Sequence, residues 1–164
     1  MAKKPKTWRE KLEIAKAKPG LPKVFFCDKA KMKFVVLSPA DVERIMMTVP
    51  PGKLMTMAQI GGRLKKEHGA DMACPMTTGI FAWIVANAAE EAANTDANVV
   101  TGAADTVLAA LPWWRVLKTG GLLNPKYPGG GKLQKQRLAA EGHRVVQKGK
   151  NLIVADHERA LVDE

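Results

Sequence analysis

The sequence has few of the residues that carry catalysis or bind metal ions. Cys27 and Cys74 are its only cysteines, too few for a disulfide framework and without the CxxC spacing of a zinc site. Ser38, the only serine, precedes a proline in "SPAD", which is typical of a helix cap and not of a nucleophile elbow. The histidines lie far apart, at His68, His143 and His157. We therefore predict two free thiols, no metal and no other cofactor.

No apolar run is long enough to cross a bilayer. The longest one, "TTGIFAWIVANAA", is interrupted by polar residues and falls short of the roughly 20 apolar residues that a membrane helix needs. The N-terminal "MAKKPKTWREKLE" is basic, but no apolar segment follows it, so it does not resemble a secretory signal. These features predict a soluble, cytoplasmic protein with no membrane partner.

Charge is plentiful and unevenly placed, with a net charge of +10. Residues 1–35 hold eleven Lys or Arg against three acids, and residues 112–151 hold nine against one. Between them, residues 70–111 hold five acids and no base. Two basic blocks of this kind indicate a surface that meets a polyanion such as a nucleic acid. A solvated, lysine-rich arm would give the same counts, so charge alone leaves both interpretations open.

The first half of the chain shows clear helix starts. The sequence predicts a short helix around Trp8–Ala17 and a hairpin formed by "KVFFC" and "KFVVL". Ser38, Pro39 and Asp41 predict a capped helix over 39–48. Thr56 and Gln59 predict a second capping box, whose helix ends at Gly69. A longer helix then starts at Thr77 or Thr78, which gives a helix-turn-helix pattern.

The second half contains an insertion, a turn and a hairpin. Residues 95–111 are small and weakly patterned, and we interpret them as an insertion with one short helix. "WRVLKTGGLLNP" predicts the strand and turn of a wing, and "VVQKGKNLIVA" predicts a hairpin. Gly129–Gly131 and Lys132 lack the GxxxxGK[ST] spacing of a phosphate loop, which argues against nucleotide hydrolysis.

Three segments share a pattern with a known family. In order, they are "TVPPGKLMTMAQIGGRL", "PWWRVLKTGGLLNPKYPGG" and "QRLAAEGHR". Together they resemble the DNA-binding domain of the O6-alkylguanine-DNA alkyltransferases, also called methylated-DNA–protein-cysteine methyltransferases, over residues 40–146. The resemblance implies a mainly α fold with small β elements, a winged helix-turn-helix whose second helix enters the minor groove. In that family a damaged guanine is flipped beside a reactive cysteine within a Pro-Cys-His-Arg-Val motif.

The family's cysteine motif falls on "PWWRV". Pro112, Arg115 and Val116 match, whereas Trp113 stands in place of the acceptor cysteine and Trp114 in place of the histidine. An indole cannot replace the thiolate nucleophile or its activating base, so the transfer reaction should be absent. The same replacement resembles the alkyltransferase-like subgroup, which binds alkylated guanine without repairing it and directs repair proteins to it. The resemblance therefore implies a DNA-binding protein that is not an enzyme.

The resemblance also implies site residues. It implies a lesion pocket formed by Trp113, Trp114, Tyr127, Glu141 and Met57. Base stacking on tryptophan is physically reasonable, but both tryptophans could equally fill the core. Met57 and Met76 stand where the family has its base-rotating tyrosine and its base-replacing arginine. Candidate DNA contacts are Lys53, Arg63, Lys65, Lys66, Met76, Thr77, Thr78, Gly79, Arg115, Lys118, Lys126 and Lys132.

The chain divides by prediction into three parts. They are a basic arm with a possible hairpin at 1–37, a winged helix-turn-helix domain at 38–150 with an insertion at about 92–111, and a C-terminal strand with an acidic tail at 151–164. We expect a monomer that binds double-stranded DNA and interacts with repair proteins. Two alternatives stay open: a general nucleic-acid or protein-interaction module on the same scaffold, and a methyltransferase that uses Cys74 as acceptor.

Overall fold

Helices dominate the fold, and its β-structure is confined to small sheets. The structure, a computed structural model, describes residues 4–94 and 107–163. The prediction of a mainly α fold with small β elements is confirmed. The predicted insertion at 92–111 and its short helix fall largely on residues 95–106, which lie outside the described residues. Within the described ranges, no helix is long and apolar enough to span a membrane.

Five α-helices lie wholly within the described residues, and the sequence predicted the N-caps of two of them, Ser38 and Thr56. They are α1 Trp8–Ala17, α2 Pro39–Met47, α3 Met57–Glu67, α4 Pro75–Ala93 and α5 Lys132–Ala140. Thr56 caps α3 by accepting from the Gln59 N–H at 3.2 Å, and the Gln59 side chain accepts from the Thr56 N–H at 3.1 Å. The predicted box at α2 is only half formed. Ser38 accepts from the Asp41 N–H, but the Asp41 carboxylate contacts Arg44 and His68 instead.

The longest helix begins earlier than the sequence pattern predicted. α4 starts at Pro75, two residues before Thr77. Proline suits the first helical position because its missing N–H would have no helical partner there. The earlier start places Cys74 at the N-cap and brings Met76 into the first turn.

Seven short strands form three sheets in the described part of the chain. The strands are β1 Lys23–Cys27, β2 Met32–Val36, β3 Met55–Thr56, β4 Met72–Ala73, β5 Val116–Leu117, β6 Val145–Lys148 and β7 Asn151–Val154. β1 pairs antiparallel with β2, and β2 pairs parallel with β4. β3 pairs parallel with β5, and β6 and β7 form the predicted hairpin. β2 begins and ends one residue before "KFVVL".

α4 is the centre of the larger core. Helices α1, α2 and α3 all pack against it, and its buried residues include Ala82, Val85, Ala86 and Ala89. Glu91 on α4 accepts hydrogen bonds from the backbone N–H groups of Trp8 and Arg9, at the first turn of α1. A carboxylate at a helix N-terminus satisfies free N–H donors and complements the helix dipole. The basic arm therefore contributes a helix to the core, and the predicted division of the chain stays a prediction.

A smaller core lies beside the first one. It consists of Leu54, Leu117, Leu123, Leu138 and Val154, which are buried together. The C-terminal segment closes over it, because the Leu54 N–H donates to the Ala160 carbonyl and the Val162 N–H donates to the Leu54 carbonyl, each at 2.8 Å. This segment also reaches α3, where Gln59 Nε2 donates to the Val162 carbonyl at 2.9 Å.

Candidate nucleic-acid interface

α3 and α4 pack against each other, joined by residues 68–74 that contain β4. A cavity opens between α3 and the start of α4, and its lining includes Met57, Gly61, Lys65 and Thr78. Met57 therefore lies beside two predicted DNA contacts. A Cβ on Gly61 would lie 3.5 Å from the Ala73 Cβ, an ordinary packing distance.

The N-terminus of α4 is exposed at its first turn. Met76 is 74% exposed, whereas Thr78 is buried. The Thr78 hydroxyl donates to the Cys74 carbonyl at 2.9 Å and the Thr77 hydroxyl donates to Cys74 Sγ at 3.2 Å. Each hydroxyl therefore already donates a hydrogen bond within the protein, which does not support the prediction that both contact phosphate.

The thiol of Cys74 is affected by the same turn. Burial by itself would raise the pKa of Cys74. Hydrogen bonds from the Thr77 hydroxyl and from the backbone N–H groups of Thr77 and Met76 outweigh burial, and the pKa lies below its ordinary value. At a given pH, the Cys74 side chain is therefore present as thiolate to a larger extent than that of an isolated cysteine.

A groove runs along α4 from its exposed first turn. Met76, Gly79, Ile80 and Trp83 form its helical side, at the spacing of one helix face. The opposite side is a loop that contains Lys118, Asn124, Pro125 and Lys126. The structure thus brings four predicted DNA contacts to one groove: Met76, Gly79, Lys118 and Lys126. We call it the α4 groove.

Lys126 is held in place at the α4 groove. Its carbonyl accepts from Asn87 Nδ2 at 2.9 Å, and its N–H donates to Asn124 Oδ1 at 3.0 Å. Its ammonium lies 4.5 Å from the ring centroid of Trp83, a cation–π distance. Fully buried Gln134 in turn accepts from the Asn124 N–H at 3.0 Å. The loop is therefore fixed from both α4 and α5.

The adjacent tryptophans lie away from the α4 groove, in an aromatic cluster. Trp113 is 1% exposed and Tyr127 is 2% exposed. The Trp113 ring meets the rings of Trp114 and Tyr127 edge-on, at centroid distances of 5.8 and 5.7 Å. Burial raises the pKa of Tyr127, whose hydroxyl has no hydrogen-bond partner among the described residues. Stacking of a base on Trp113 would require this cluster to open.

An ionic network surrounds the aromatic cluster. Glu90, on α4 and buried, accepts from Trp113 Nε1 at 3.1 Å and from Arg137 Nη2 at 2.7 Å. The Arg137 guanidinium also lies 4.8 Å from the ring centroid of Trp114. Glu90 is thus engaged inside the protein. The pairing of Glu90 with Arg137 could not be predicted from the sequence, because the two residues are 47 positions apart.

Arg115 and Glu141 form a second pair at the edge of this cluster. Arg115 Nε lies 2.9 Å from Glu141 Oε1, and Arg115 Nη1 donates to the Val49 carbonyl at 2.8 Å. Burial raises the pKa of Glu141, but hydrogen bonds from Arg115 outweigh it and lower the pKa below its ordinary value. The Arg115 guanidinium therefore points inward, which does not support its predicted contact with DNA.

The remaining predicted contacts are dispersed. Lys53 is exposed in the turn before β3, and Lys132 is exposed at the first position of α5. Arg63 Nη2 donates to the Asp163 carbonyl at 2.6 Å, so part of the Arg63 guanidinium is already bound by the C-terminal segment. Lys65 and Lys66 lie in the last turn of α3. Neither Lys53 nor Lys132 lines the α4 groove.

No group of His, Cys, Asp and Glu in the described ranges is arranged to hold a metal ion.

No protein-family model matches the chain, and no curated protein matches it. Two crystal structures are similar, "S. Pombe ATL in complex with DNA" and "S. pombe Atl1 in complex with damaged DNA containing O6-carboxymethylguanine". Each is 16% identical to this chain and has a TM-score of 0.48. The matched region covers 77% of this chain and 94% of the chain in the similar structure. A likeness of this extent assigns no function to the chain.

Proposed function

We propose that this chain is a non-catalytic DNA-binding protein of the alkyltransferase-like type, which contacts duplex DNA from the minor groove. The observation that carries the proposal is the α4 groove, where exposed Met76 at a helix N-terminus lies near Lys118 and Lys126. The helix dipole favours phosphate at such an end. The lysines add charge–phosphate contacts, and an apolar side chain such as Met76 can insert between bases.

The arrangement of α3 and α4 supports a winged helix-turn-helix. α4 is the recognition helix in this proposal. α3 crosses the DNA backbone, with Lys65 and Lys66 in its last turn. The wing is the turn after β5, where Lys118 and Leu122 form an antiparallel bridge. Glu90 and Glu91 do not oppose DNA binding in this arrangement, because both make hydrogen bonds inside the protein.

The absence of catalysis rests on Trp113. In the resemblance it takes the place of the acceptor cysteine, and its indole N–H is bonded to Glu90. Indole is not a nucleophile for alkyl transfer. The competing enzyme hypothesis uses Cys74, whose pKa is lowered. Mass spectrometry after incubation with methylated DNA separates the two, because transfer would leave a methyl adduct on the peptide that contains Cys74.

A second candidate function is favoured by the burial of Trp113 and Tyr127. If these rings only pack the core, the protein binds the DNA backbone without preference for a lesion. We expect a monomer in either case, with repair proteins as partners only in the first. The two functions differ in one measurable quantity, the affinity ratio between damaged and undamaged duplex.

Fluorescence anisotropy tests both functions. One short duplex carries guanine or O6-methylguanine at a single position, and binding is measured at two salt concentrations. Tighter binding to the methylated duplex at both concentrations supports lesion recognition. Equal affinities that fall together as salt rises support backbone binding alone. Failure to bind either duplex at low salt overturns the proposal.

A further inference from the structure

The hairpin of β1 and β2 carries an open sheet edge on the basic N-terminal region. β1 is the terminal strand of the sheet ordered β1-β2-β4. Among residues 4–94 and 107–163, no strand pairs with its outer edge. An open edge presents unpaired N–H and C=O groups on which another strand can form.

The direction of the β2 peptide groups follows from its contacts with the segment around β4. The Lys33 carbonyl accepts from the Asp71 N–H at 2.9 Å, and the Val35 carbonyl accepts from the Cys74 N–H at 3.0 Å. Successive residues of a strand direct their peptide groups to opposite sides. Phe34, between these two residues, therefore directs its peptide groups toward β1.

The free groups on β1 follow from the register. Phe25 is the partner of Phe34, so its peptide groups face β2. The N–H and C=O groups of Val24 and Phe26 consequently point away from β2, at the open edge. The side chains of these two residues are 44% and 55% exposed.

Apolar side chains extend from this edge over the outer face of the sheet. Phe25 is 41% exposed and stacks on Phe34 with a centroid distance of 6.0 Å. Met72, which is in register with Phe34 on β4, is 40% exposed. A contiguous exposed apolar patch beside an unpaired edge is typical of a protein-interaction site.

The charge around the hairpin selects the partner. Residues 18–33 contain five lysines and one acid, Asp28. A second copy of this chain would bring the same excess of positive charge to the contact, which like-charge repulsion disfavours. An acidic partner is attracted by the same field. The nucleobases of DNA or RNA offer no alternating N–H and C=O groups at strand spacing. The free backbone groups of β1 therefore favour a polypeptide over a nucleic acid.

We infer that the outer edge of β1 binds an extended acidic segment of a partner protein as an added strand. Backbone hydrogen bonds to Val24 and Phe26 supply affinity, and alternate apolar side chains of the segment contact Phe25 on the outer face of the sheet. Acidic side chains of the segment face the lysines. This inference is independent of the proposed DNA binding, because it uses none of the residues of the α4 groove.

Binding of a synthetic peptide to the full chain tests the inference. The probe is a labelled peptide of about ten residues in which Glu alternates with Val, long enough to cover a typical strand. Its matched control has the same sequence with N-methyl groups on two adjacent central residues, which removes one backbone donor from each edge. We expect the control to bind roughly fivefold more weakly in fluorescence anisotropy, because the one N–H that faces β1 is removed and a hydrogen bond of about 1 kcal/mol is lost.

Variants locate the binding to the edge. Val24→Pro removes one outward N–H and leaves the bonds to β2 intact, and we expect it to weaken the parent peptide by roughly fivefold or more. Phe25→Thr keeps β propensity and removes apolar contact on the outer face, and it carries the test if Val24→Pro does not fold. Lys150→Glu, in the turn of the other hairpin, is the control for charge alone.

Three results would overturn the inference. The first is equal binding of the parent and N-methylated peptides, which would reduce the interaction to charge. The second is a dimer in sedimentation velocity that Phe25→Thr abolishes, which would make a second copy the occupant. The third is displacement of the peptide by single-stranded DNA whose own binding also depends on Phe25, which would make the hairpin a nucleic-acid surface.

Discussion

Trp113 and Arg137 share one carboxylate, that of Glu90, with Trp113 Nε1 at 3.1 Å from one oxygen and Arg137 Nη2 at 2.7 Å from the other. The three residues belong to α4, the segment after Pro112 and α5, so this carboxylate joins three parts of the chain. Because Glu90 is buried, losing the charge leaves Arg137 without its counterion.

Glu90→Gln should therefore destabilise the fold. We expect the free energy of unfolding in urea to fall by about 1.5–3 kcal/mol, the range for a hydrogen bond to a charged group. Glu13→Gln, on the exposed side of α1, makes the same chemical change at the surface and should lie within about 0.5 kcal/mol of the parent. Equal stability of both variants would show that the Glu90 network contributes nothing.

Tyr127→Phe distinguishes packing from a lesion pocket. The Tyr127 hydroxyl is buried and lacks a partner among the described residues, so its removal should leave stability unchanged or raise it by up to about 1 kcal/mol. Thermal and urea unfolding measure this. If the cluster opens to hold a base, the same variant should also lower affinity for the O6-methylguanine duplex while affinity for the guanine duplex stays constant.

Lys126→Ala should weaken DNA binding at every sequence to a similar extent. A lysine that contacts phosphate releases about one counterion, so the slope of log affinity against log salt should decrease in magnitude by about 1. Anisotropy across a salt series measures both effects. Lys150→Ala removes the same charge outside the α4 groove, and a slope change as large as that of Lys126→Ala would place the DNA elsewhere.

Met76→Ala and Met76→Asp separate insertion from charge. Alanine removes the apolar wedge, and we expect a roughly tenfold loss of affinity, whereas aspartate adds repulsion and should abolish binding at moderate salt. Met76 is 74% exposed, so neither change should shift the melting temperature by more than a few degrees. Unchanged affinity of both variants would exclude the first turn of α4 from the interface.

Glu141 predicts a dependence of stability on pH. Its folded pKa lies below the ordinary value of 4.5, mainly because Arg115 offsets the effect of burial. Its stabilising contribution is therefore complete above about 4.5, the unfolded pKa, and is lost as pH falls from there through the folded pKa. Urea unfolding between roughly pH 3 and 7 should show a steeper acid loss for the parent than for Glu141→Gln. Parallel curves would contradict the paired carboxylate.

Local signals in the sequence predicted local structure well. Thr56 and Gln59 are close enough in sequence to define a cap, and "VVQKGKNLIVA" defines its own hairpin. The sequence could not predict partners that meet only after folding. Glu91 meets the first turn of α1 across 83 residues, and β2 meets β4 in parallel only because α2 and α3 return the chain.

The site shows the same division. Met76, Gly79, Lys118 and Lys126 could be predicted from the resemblance, and they meet at one groove. The inward position of Arg115 could not, because it depends on Glu141 and on a backbone carbonyl of Val49. Gln134 also escaped notice, since glutamine in a helix normally indicates an exposed position and this one is fully buried.

The glycines before α5 have a consequence for mutational tolerance. Gly129, Gly130 and Gly131 all have positive φ, at 78°, 62° and 96°, and a Cβ on Gly129 would lie 2.5 Å from the Leu133 Cβ. Gly129 and Gly130 are exposed, so accessibility alone would class them as freely replaceable. In a saturation mutagenesis of this protein, Gly129 should instead reject substitutions as strongly as the buried leucines do, and Gly130 should favour glycine because of its positive φ.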